Sequence, residues 1–227
     1  MERKEAIRGA YRMTGGNSFY DGMITCSTLS GKAVCRLVWD MNKAENDDYL
    51  ERALSGIPEH FSDKLLEVPV GTGILTMPVY QTMPQADITC LDYSPDMMRQ
   101  AREKADRLHL KNVTFQQGDV GALPYADGTF DIVLSLNGFH AFPDKKAAYR
   151  EVYRVLKPGG TFCGCFYIKG EHKRTDWFVR HVYEKAGFFT PPYETVSSLK
   201  ARLDGMYTDV DMGSLKSMAW FLCRKAG

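Results

Sequence analysis

Residues 65–73 read Leu-Leu-Glu-Val-Pro-Val-Gly-Thr-Gly, an apolar run that leads into a glycine turn. Glycines at positions 71 and 73 let the main chain pass close to a ligand, and a helix start after such a turn offers free N–H groups. A Gly-x-Gly pair alone is weak evidence. Its weight comes from the chain downstream, where Asp92 ends the next apolar run and is placed to accept hydrogen bonds from ribose hydroxyls.

Outward from this stretch, short β-branched runs alternate with segments of helical periodicity, which is typical of a parallel sheet with helices on both faces. Ser94 and Pro95 mark one helix start, as N-cap and first helical residue. Only a few residues separate the last two strands, so they are expected to form an antiparallel hairpin. Strands are predicted at residues 65–68, 87–92, 113–117, 130–136, 160–168, 206–212 and 217–224.

The sequence therefore predicts an α/β fold: a Rossmann-like, seven-stranded, mostly parallel sheet with an antiparallel last strand and helices on both faces. Residues 1–61 are expected to form a helical N-terminal cap, and residues 62–227 the main part of a single structural domain. Pro78 falls inside the helix that follows the glycine turn, so a kink or an early end is expected there.

Composition excludes several classes of protein. The 227 residues are 44% hydrophobic and carry 29 Lys and Arg against 28 Asp and Glu, so overall disorder and a polyanion-wrapping surface are not expected. The basic patch from Lys169 to Arg174 is interpreted as a solvated loop. No signal peptide or membrane span is visible, and the six cysteines lack a paired spacing. We expect reduced thiols, a cytoplasmic location, a small-molecule partner and no nucleic acid.

Two further strand ends carry glycine or polar residues. Gly118 and Asp119 end the third strand, and Asn137 with His140 follows the fourth. In an open parallel sheet the ligand crevice lies beyond the carboxyl ends of the strands, so these loops are expected to meet at one place. The four strand ends together point to a nucleotide-type site far more strongly than any one of them.

The order of these motifs resembles the class I S-adenosylmethionine-dependent methyltransferases, and within them the group typified by ubiquinone and menaquinone biosynthesis enzymes. The motifs are Leu-Leu-Glu-Val-Pro-Val-Gly-Thr-Gly, Leu-Asp-Tyr-Ser-Pro-Asp-Met, Gly-Asp-Val-Gly-Ala-Leu-Pro-Tyr, Thr-Phe-Asp-Ile-Val-Leu-Ser and Val-Leu-Lys-Pro-Gly-Gly. The resemblance covers about residues 62–168. It implies methyl transfer from S-adenosylmethionine, with S-adenosylhomocysteine as product, to a small molecule; the aromatic residues named below predict that this acceptor is hydrophobic or aromatic.

Carried over by position, the resemblance implies that Glu67 and the Gly71 main chain hold the methionine part of the cofactor, Asp92 the ribose and Asp119 the adenine amino group. Pro69 departs from the family, since many members have a glycine there. The cofactor-binding residues implied are Tyr20, Glu67, Val68, Pro69, Gly71, Gly73, Asp92, Tyr93, Met97, Gly118, Asp119, Val120 and Asn137.

His140 is the candidate general base, because its ordinary pKa lies near neutrality and it follows the fourth strand. A hydrogen-bonded wall of the pocket is the competing interpretation. The residues proposed to bind the acceptor are Trp39, Phe139, His140, Phe142, Tyr167 and Trp177. Cys163 and Cys165 are interpreted as small buried hydrophobes on one face of the fifth strand, and no metal is expected.

Two alternatives stay open at this point. A nicotinamide dehydrogenase shares the acid after the second strand, but Thr76 stands where its fingerprint requires a third Gly or Ala. A non-catalytic S-adenosylmethionine-binding or scaffold protein is the other alternative, because methyl transfer requires geometry more than named groups.

Overall fold

The chain is organised around one seven-stranded sheet. A computed structural model describes residues 19–227, without the side chains of Phe19, Tyr20 and Met23. The strand order is β3-β2-β1-β4-β5-β7-β6, and every pairing from β3 to β5 is parallel, whereas β7 runs antiparallel to both β5 and β6. The strands are β1 Lys64–Glu67, β2 Asp87–Asp92, β3 Val113–Gln117, β4 Phe130–Leu136, β5 Leu156–Tyr167, β6 Asp209–Leu215 and β7 Met218–Arg224. The predicted fold class is confirmed.

Helices connect and cover the strands. Ser94 caps α5 through its side chain with Pro95 in the first turn, and Asp144 caps α6 in the same way. The helices are α1 Phe19–Ile24, α2 Leu29–Leu37, α3 Lys43–Leu54, α4 Met77–Tyr80, α5 Pro95–Arg107, α6 Lys145–Val155, α7 Lys173–Phe178 and α8 Val196–Asp204. A π-helical turn, Val179–Tyr183, follows α7, and a 3₁₀ turn, Val120–Ala122, follows β3.

Two apolar cores lie on opposite faces of the sheet. Successive strand residues point to opposite faces, so Leu65 enters one core and Leu66 the other. The first core also holds Cys163 and Cys165, which share a face as expected, together with Tyr49 and Leu50 of α3. Helix α3 packs against β5 and β7. The segment from residue 43 to 54 therefore shares its core with the sheet, and residues 1–18 of the predicted cap lie outside the described part.

Cys26 and Cys35 form a disulfide that joins the end of α1 to α2. The expectation of six reduced thiols is wrong for this pair, because the turn before α2 brings the two Cα atoms to 6.3 Å, within disulfide reach. Cys90, Cys163, Cys165 and Cys223 are free and buried. The cytoplasmic location stays a prediction.

Three elements differ from their predicted bounds. Helix α4 spans a single turn with Pro78 near its start, so the chain between Gly71 and Thr76 is irregular. Strand β5 begins at Leu156, directly after α6, because Phe130 pairs with Leu156 before a register shift. Strand β6 spans Asp209–Leu215, three residues later than the predicted 206–212, because its pairing with β7 runs from Asp209 opposite Arg224 to Leu215 opposite Met218.

Among residues 19–227, β6 pairs with β7 alone and forms one edge of the sheet. Its alternate residues Asp209 and Asp211 are exposed. Among the helices between residues 19 and 227, none is long and apolar enough to cross a bilayer.

Candidate active site

The sheet reverses its strand order at β1, which lies between β2 and β4. In open α/β sheets this switch point opens a crevice at the carboxyl ends of the strands. Glu67 ends β1, Asp92 ends β2, and Asn137 follows β4. The topology therefore brings the sequence-predicted polar residues to one edge.

The glycine loop of residues 68–73 turns at Gly71 and Gly73, whose φ angles are +56° and +67°. The Val68–Pro69 peptide bond is cis, and the Val70 amide donates to the Leu91 carbonyl at 2.9 Å. The Gly71 amide donates to Asp92 Oδ2 at 2.8 Å. Pro69 therefore does not prevent the loop from turning, and the Gly71 carbonyl is the main-chain group left for a ligand.

A cavity of about 50 Å³ lies between this loop and the end of β4. It is bordered by Glu67, Pro69, Gly71, Gly73 and Asn137, which the sequence had selected from two distant stretches. Ile24 of α1, Leu136 and the other loop residues 70, 72 and 74–76 also line it, and sequence reasoning missed them. A Cβ atom at Gly71 would meet nothing within 4 Å, so the loop leaves open space beside this residue.

Glu67 is a buried carboxyl group at this cavity. Its Oε2 accepts from Tyr80 Oη at 2.8 Å and from Cys90 Sγ at 3.6 Å. Burial raises the pKa of Glu67 to about 8, and the hydrogen bonds from Tyr80 only partly oppose this. A buried acid with a raised pKa is available to meet a cationic group, because an adjacent positive charge favours its ionised form.

Asp92 and its neighbours form a more open part of the same edge. Asp92 Oδ1 accepts from the Ser94 amide at 2.9 Å, and burial raises the pKa of Asp92. Tyr93 is 77% exposed, Asp119 is exposed and accepts from the Gly121 amide, and the Gly118 amide donates to the Asp92 carbonyl. Val68 and Val120 are buried and Met97 is half-buried. None of these seven residues lines the 50 Å³ cavity, although Asp92 bonds to Gly71, which does.

A buried polar cluster joins α1 to the glycine loop. Thr72 Oγ1 donates to Asp21 Oδ1 at 2.6 Å, and Lys104 Nζ of α5 lies 3.0 Å from Asp21 Oδ2. Sequence reasoning missed all three residues, although Asp21 directly follows the selected Tyr20. Tyr20 itself lies in α1, and its side chain is outside the described part.

An aromatic cluster lies on the same face of the sheet as Glu67 and shares its core. Trp39 stacks on Tyr183 with ring centroids 5.9 Å apart and meets Tyr167 edge-on at 6.1 Å. Phe189 contacts the rings of Trp39, Tyr167 and Tyr183 at 5.3–6.2 Å. We call Trp39, His140, Tyr167, Tyr183 and Phe189 the aromatic cluster. The rings pack mainly on one another, and His140, Tyr167 and Phe189 are buried.

His140 belongs to this cluster as a neutral ring. It stacks on Phe189 with centroids 4.0 Å apart, and its Nδ1 accepts from the Tyr167 amide at 3.3 Å. Burial, reinforced by the Lys145 charge, lowers the pKa of His140 to about 3. With Nδ1 as an acceptor the proton resides on Nε2, so the ring offers a donor and no free lone pair.

Three residues selected for the same pocket lie elsewhere. Phe139 and Phe142 enter the opposite core, where Phe139 packs on Tyr149 with centroids 4.2 Å apart, because the turn after β4 directs them across the sheet. Trp177 is 53% exposed and stacks on His181. The structure therefore groups Trp39, His140 and Tyr167 and corrects the placement of the other three.

A family model described as a methyltransferase domain matches residues 65–160. These residues form a methyltransferase domain. The match begins within β1, includes the glycine loop and all four strand ends of the crevice, and stops inside β5. The family resemblance of the sequence motifs is confirmed.

Curated relatives agree with the domain match. A demethylmenaquinone methyltransferase of Thermus thermophilus is 38% identical over 109 residues, which are 48% of this chain and 49% of the relative. A chloroplastic 2-methyl-6-phytyl-1,4-hydroquinone methyltransferase of Oryza sativa is 36% identical over 121 residues, 53% of this chain and 34% of the relative. The chain thus spans half or less of the length of these two relatives. The solved structure of the YcgJ protein of Bacillus subtilis covers 74% of this chain and 72% of its own, at 25% identity and a TM-score of 0.61.

The two parts of the site divide at the limits of the methyltransferase domain. Every residue of the glycine-loop cavity except Ile24 lies within residues 65–160. Of the aromatic cluster, only His140 does, while Trp39, Tyr167, Tyr183 and Phe189 lie outside.

Proposed function

We propose that the chain is a methyltransferase that uses S-adenosylmethionine and acts on a small aromatic acceptor of the quinone or hydroquinone class. The single observation that carries this proposal is the cavity at the switch point of a methyltransferase domain, where Glu67, Gly71 and Asn137 meet. The acceptor class is supported by the quinone-type acceptors for which the relatives are named and by the apolar aromatic cluster in the same core.

The residues present fit this cofactor. The open space beside Gly71 is a cradle that a side chain would fill, and the buried Glu67 carboxyl suits an ammonium or sulfonium group. When bound, S-adenosylmethionine supplies an electrophilic methyl group on a sulfonium. Glu67 and the main-chain carbonyls of Gly71 and Asn137 would hold its methionine part, Asp92 its ribose hydroxyls, and Tyr93, Met97, Asp119 and Val120 its adenine.

Orientation dominates the proposed mechanism. Aligning acceptor and methyl group contributes about 7 to 11 kcal/mol, whereas a positioned base contributes about 3 to 5 kcal/mol. His140 is proposed as a hydrogen-bond donor from Nε2 that orients an acceptor oxygen, in place of the base role expected from the sequence. Trp39, Tyr167 and Phe189 exclude water from the acceptor side.

Two measurements test the proposal in sequence. Calorimetric titration of the full chain with S-adenosylmethionine and S-adenosylhomocysteine is expected to show one site per chain. Release of S-adenosylhomocysteine is then followed with hydroquinones, phenols, amines and thiols, and hydroquinones are expected to give the highest rate. Cofactor binding with no release for any acceptor would contradict catalysis, and absence of cofactor binding would contradict the whole proposal.

A further inference from the structure

Exposed apolar side chains are concentrated on two neighbouring segments. Between residues 19 and 227, six large hydrophobic side chains are strongly exposed, and five of them lie in α2 or in residues 173–188. These five are Leu29 (87% exposed), Leu37, Trp177, Val182 and Phe188 (61%). Single exposed hydrophobics are ordinary, but a group of five on adjoining segments marks an interaction surface. We call α2 together with residues 173–188 the aromatic–basic face.

The two segments are joined by direct bonds. Thr175 Oγ1 donates to the Val38 carbonyl, just after α2, at 2.6 Å. Arg174 Nη2 donates to the Arg36 carbonyl at 3.2 Å and lies 2.9 Å from Asp40 Oδ1. These contacts tie α7 to the end of α2, so the two segments are neighbours in the folded chain.

The exposed charges of the aromatic–basic face all have the same sign. Its exposed charged side chains are Lys32, Arg36, Lys173, Arg174, Arg180 and Lys185. The two acids of residues 173–188, Asp176 and Glu184, are half-buried, and Asp176 is bonded to Tyr167 Oη at 2.7 Å and to the Gly170 amide at 3.0 Å. The whole chain carries a net charge of only +1, so this face concentrates positive charge that is balanced elsewhere.

We propose that the aromatic–basic face docks on an anionic lipid surface. Tryptophan, phenylalanine and leucine side chains that project between lysines and arginines are typical of segments that lie in the interface of a bilayer, with the cations at the head groups. A nucleic acid would use the cations and stack on the rings. It would leave Leu29, Leu37 and Val182 without apolar partners, so the lipid surface accounts for more of the observations.

The position of this face relates it to the aromatic cluster. Tyr183 lies within residues 173–188, and it stacks on Trp39. An apolar acceptor dissolved in the lipid would therefore meet the cluster directly behind the docked surface, a consequence that rests on the proposed function. Docking itself requires neither cofactor nor acceptor, so it is tested separately from methyl transfer.

The test is sedimentation of the full chain with vesicles in the absence of cofactor and acceptor. Vesicles of phosphatidylcholine alone are compared with vesicles containing about 30% phosphatidylglycerol, at low salt and at about 0.5 M salt. We expect at least about tenfold tighter binding to the anionic vesicles, loss of most of this difference at high salt, and a blue shift of tryptophan emission that the Trp177→Phe variant lacks.

Two double variants and a matched control assign the binding to this face. Trp177→Ser with Phe188→Ser removes apolar contacts, and Arg180→Glu with Lys185→Glu reverses charge; each is expected to weaken anionic-vesicle binding about tenfold or more. The control variant is Arg107→Glu with Lys111→Glu, which reverses two exposed cations beside the edge strand β3. It is expected to change the affinity for anionic vesicles less than twofold. Thermal melts check that each variant folds.

Three results would overturn the proposal. The first is no preference for anionic over neutral vesicles by the wild-type chain. The second is equal loss of binding in the control and in the charge-reversed variant. The third is tighter binding to a single-stranded oligonucleotide than to anionic vesicles, with no effect of the Trp177→Ser and Phe188→Ser changes, since that would identify a nucleic-acid surface. None of these outcomes alters the release of S-adenosylhomocysteine, which judges the proposed function on its own.

Discussion

The glycine-loop cavity and the aromatic cluster share a core but are built in different ways. The cavity is lined mainly by the loop that follows β1, together with Glu67 and the end of β4, and all of its residues but Ile24 belong to the methyltransferase domain. The cluster is made by rings from four separate segments, three of them outside that domain. The comparison teaches that the matched domain supplies nearly all of the cavity, whereas segments outside the match supply most of the aromatic cluster; under the proposed function, these are the cofactor side and the acceptor side.

Each region also buries one titratable group in its neutral form, and the two groups respond to pH in opposite directions. Burial raises the pKa of Glu67 to about 8, so raising the pH forces a buried negative charge. Burial lowers the pKa of His140 to about 3, so lowering the pH forces a buried positive charge. Charging either group without a partner of opposite charge therefore lowers the stability of the folded chain.

The largest expected effect separates the two regions by stability. Phe189→Ala removes a buried ring that contacts four members of the cluster and Tyr193, and it is expected to lower the free energy of unfolding by about 3 kcal/mol. Affinity for S-adenosylmethionine should change less than about twofold, because the ring lies outside the cavity. Phe188→Ala, at the exposed neighbour, is the control and should change stability by less than about 0.5 kcal/mol. Denaturant unfolding measures the free energy of unfolding, and calorimetric titration measures the affinity for S-adenosylmethionine. A large loss of affinity in Phe189→Ala would show that the aromatic cluster and the cofactor cavity are energetically coupled.

Asp92→Asn is the reciprocal change at the sheet edge. Losing charge-assisted bonds of about 1.5 to 3 kcal/mol is expected to weaken binding of S-adenosylmethionine about 100-fold. Asp96→Asn, an exposed carboxyl in the first turn of α5, is the matched control and should bind as the wild type does. Calorimetric titration gives the comparison. Equal affinities for the two variants would remove Asp92 from the cofactor site.

The pH response of Glu67 sharpens the contrast further. Its pKa is higher in the folded chain, about 8, than the ordinary value of 4.5, so the folded state binds the extra proton. The contribution of Glu67 to stability is therefore present at low pH and is lost as pH rises between about 4.5 and 8, by up to about 1.4 kcal/mol per pH unit. Glu67→Gln is expected to abolish this loss, so the stability difference between variant and wild type should shift in the variant's favour from pH 5 to 8. A difference that is constant over this range would show that Glu67 is ionised in the folded chain.

His140→Asn tests the aromatic cluster in the same manner with the opposite sign. The pKa of His140 is lower in the folded chain, about 3, than the ordinary 6.5, so the unfolded state binds the extra proton. Stability is lost as pH falls below about 6.5, again by up to about 1.4 kcal/mol per pH unit, but only until about pH 3. The variant should lack this acid-side loss between pH 6.5 and 4. Unfolding curves at half-unit intervals of pH measure it, and an unchanged slope would mean that the ring is solvated.

Much of the crevice at the carboxyl ends of the parallel strands could be predicted from the sequence, because the residues that determine it are local. Strands β2, β3 and β4 have the expected bounds, and Ser94 with Pro95 begins α5 as their residue types require. Carboxyl ends of parallel strands meet by topology alone, so Glu67, Gly71 and Asn137 come together without any knowledge of side-chain packing.

The aromatic cluster could not be predicted to the same degree, because ring contacts join residues far apart in sequence. The direction of Phe139 depends on the turn after β4, where Asn137 has a φ of +56°, and no periodicity specifies that turn. Phe189, which is buried among the rings of the cluster, was not selected from the sequence for the same reason. The Cys26–Cys35 pair was missed for a similar reason, since its closeness depends on how α1 meets α2.

The exposed aspartates of β6 have a consequence for how the molecule behaves at high concentration. A terminal strand with unpaired N–H and C=O groups is a template on which an identical neighbour can add its own strand. With Asp209 and Asp211 along that border, a second copy would bring carboxylates of like sign together across the new ladder. The antiparallel hairpin thus ends the sheet, and the aspartates of β6 disfavour strand-by-strand association of further copies at this edge.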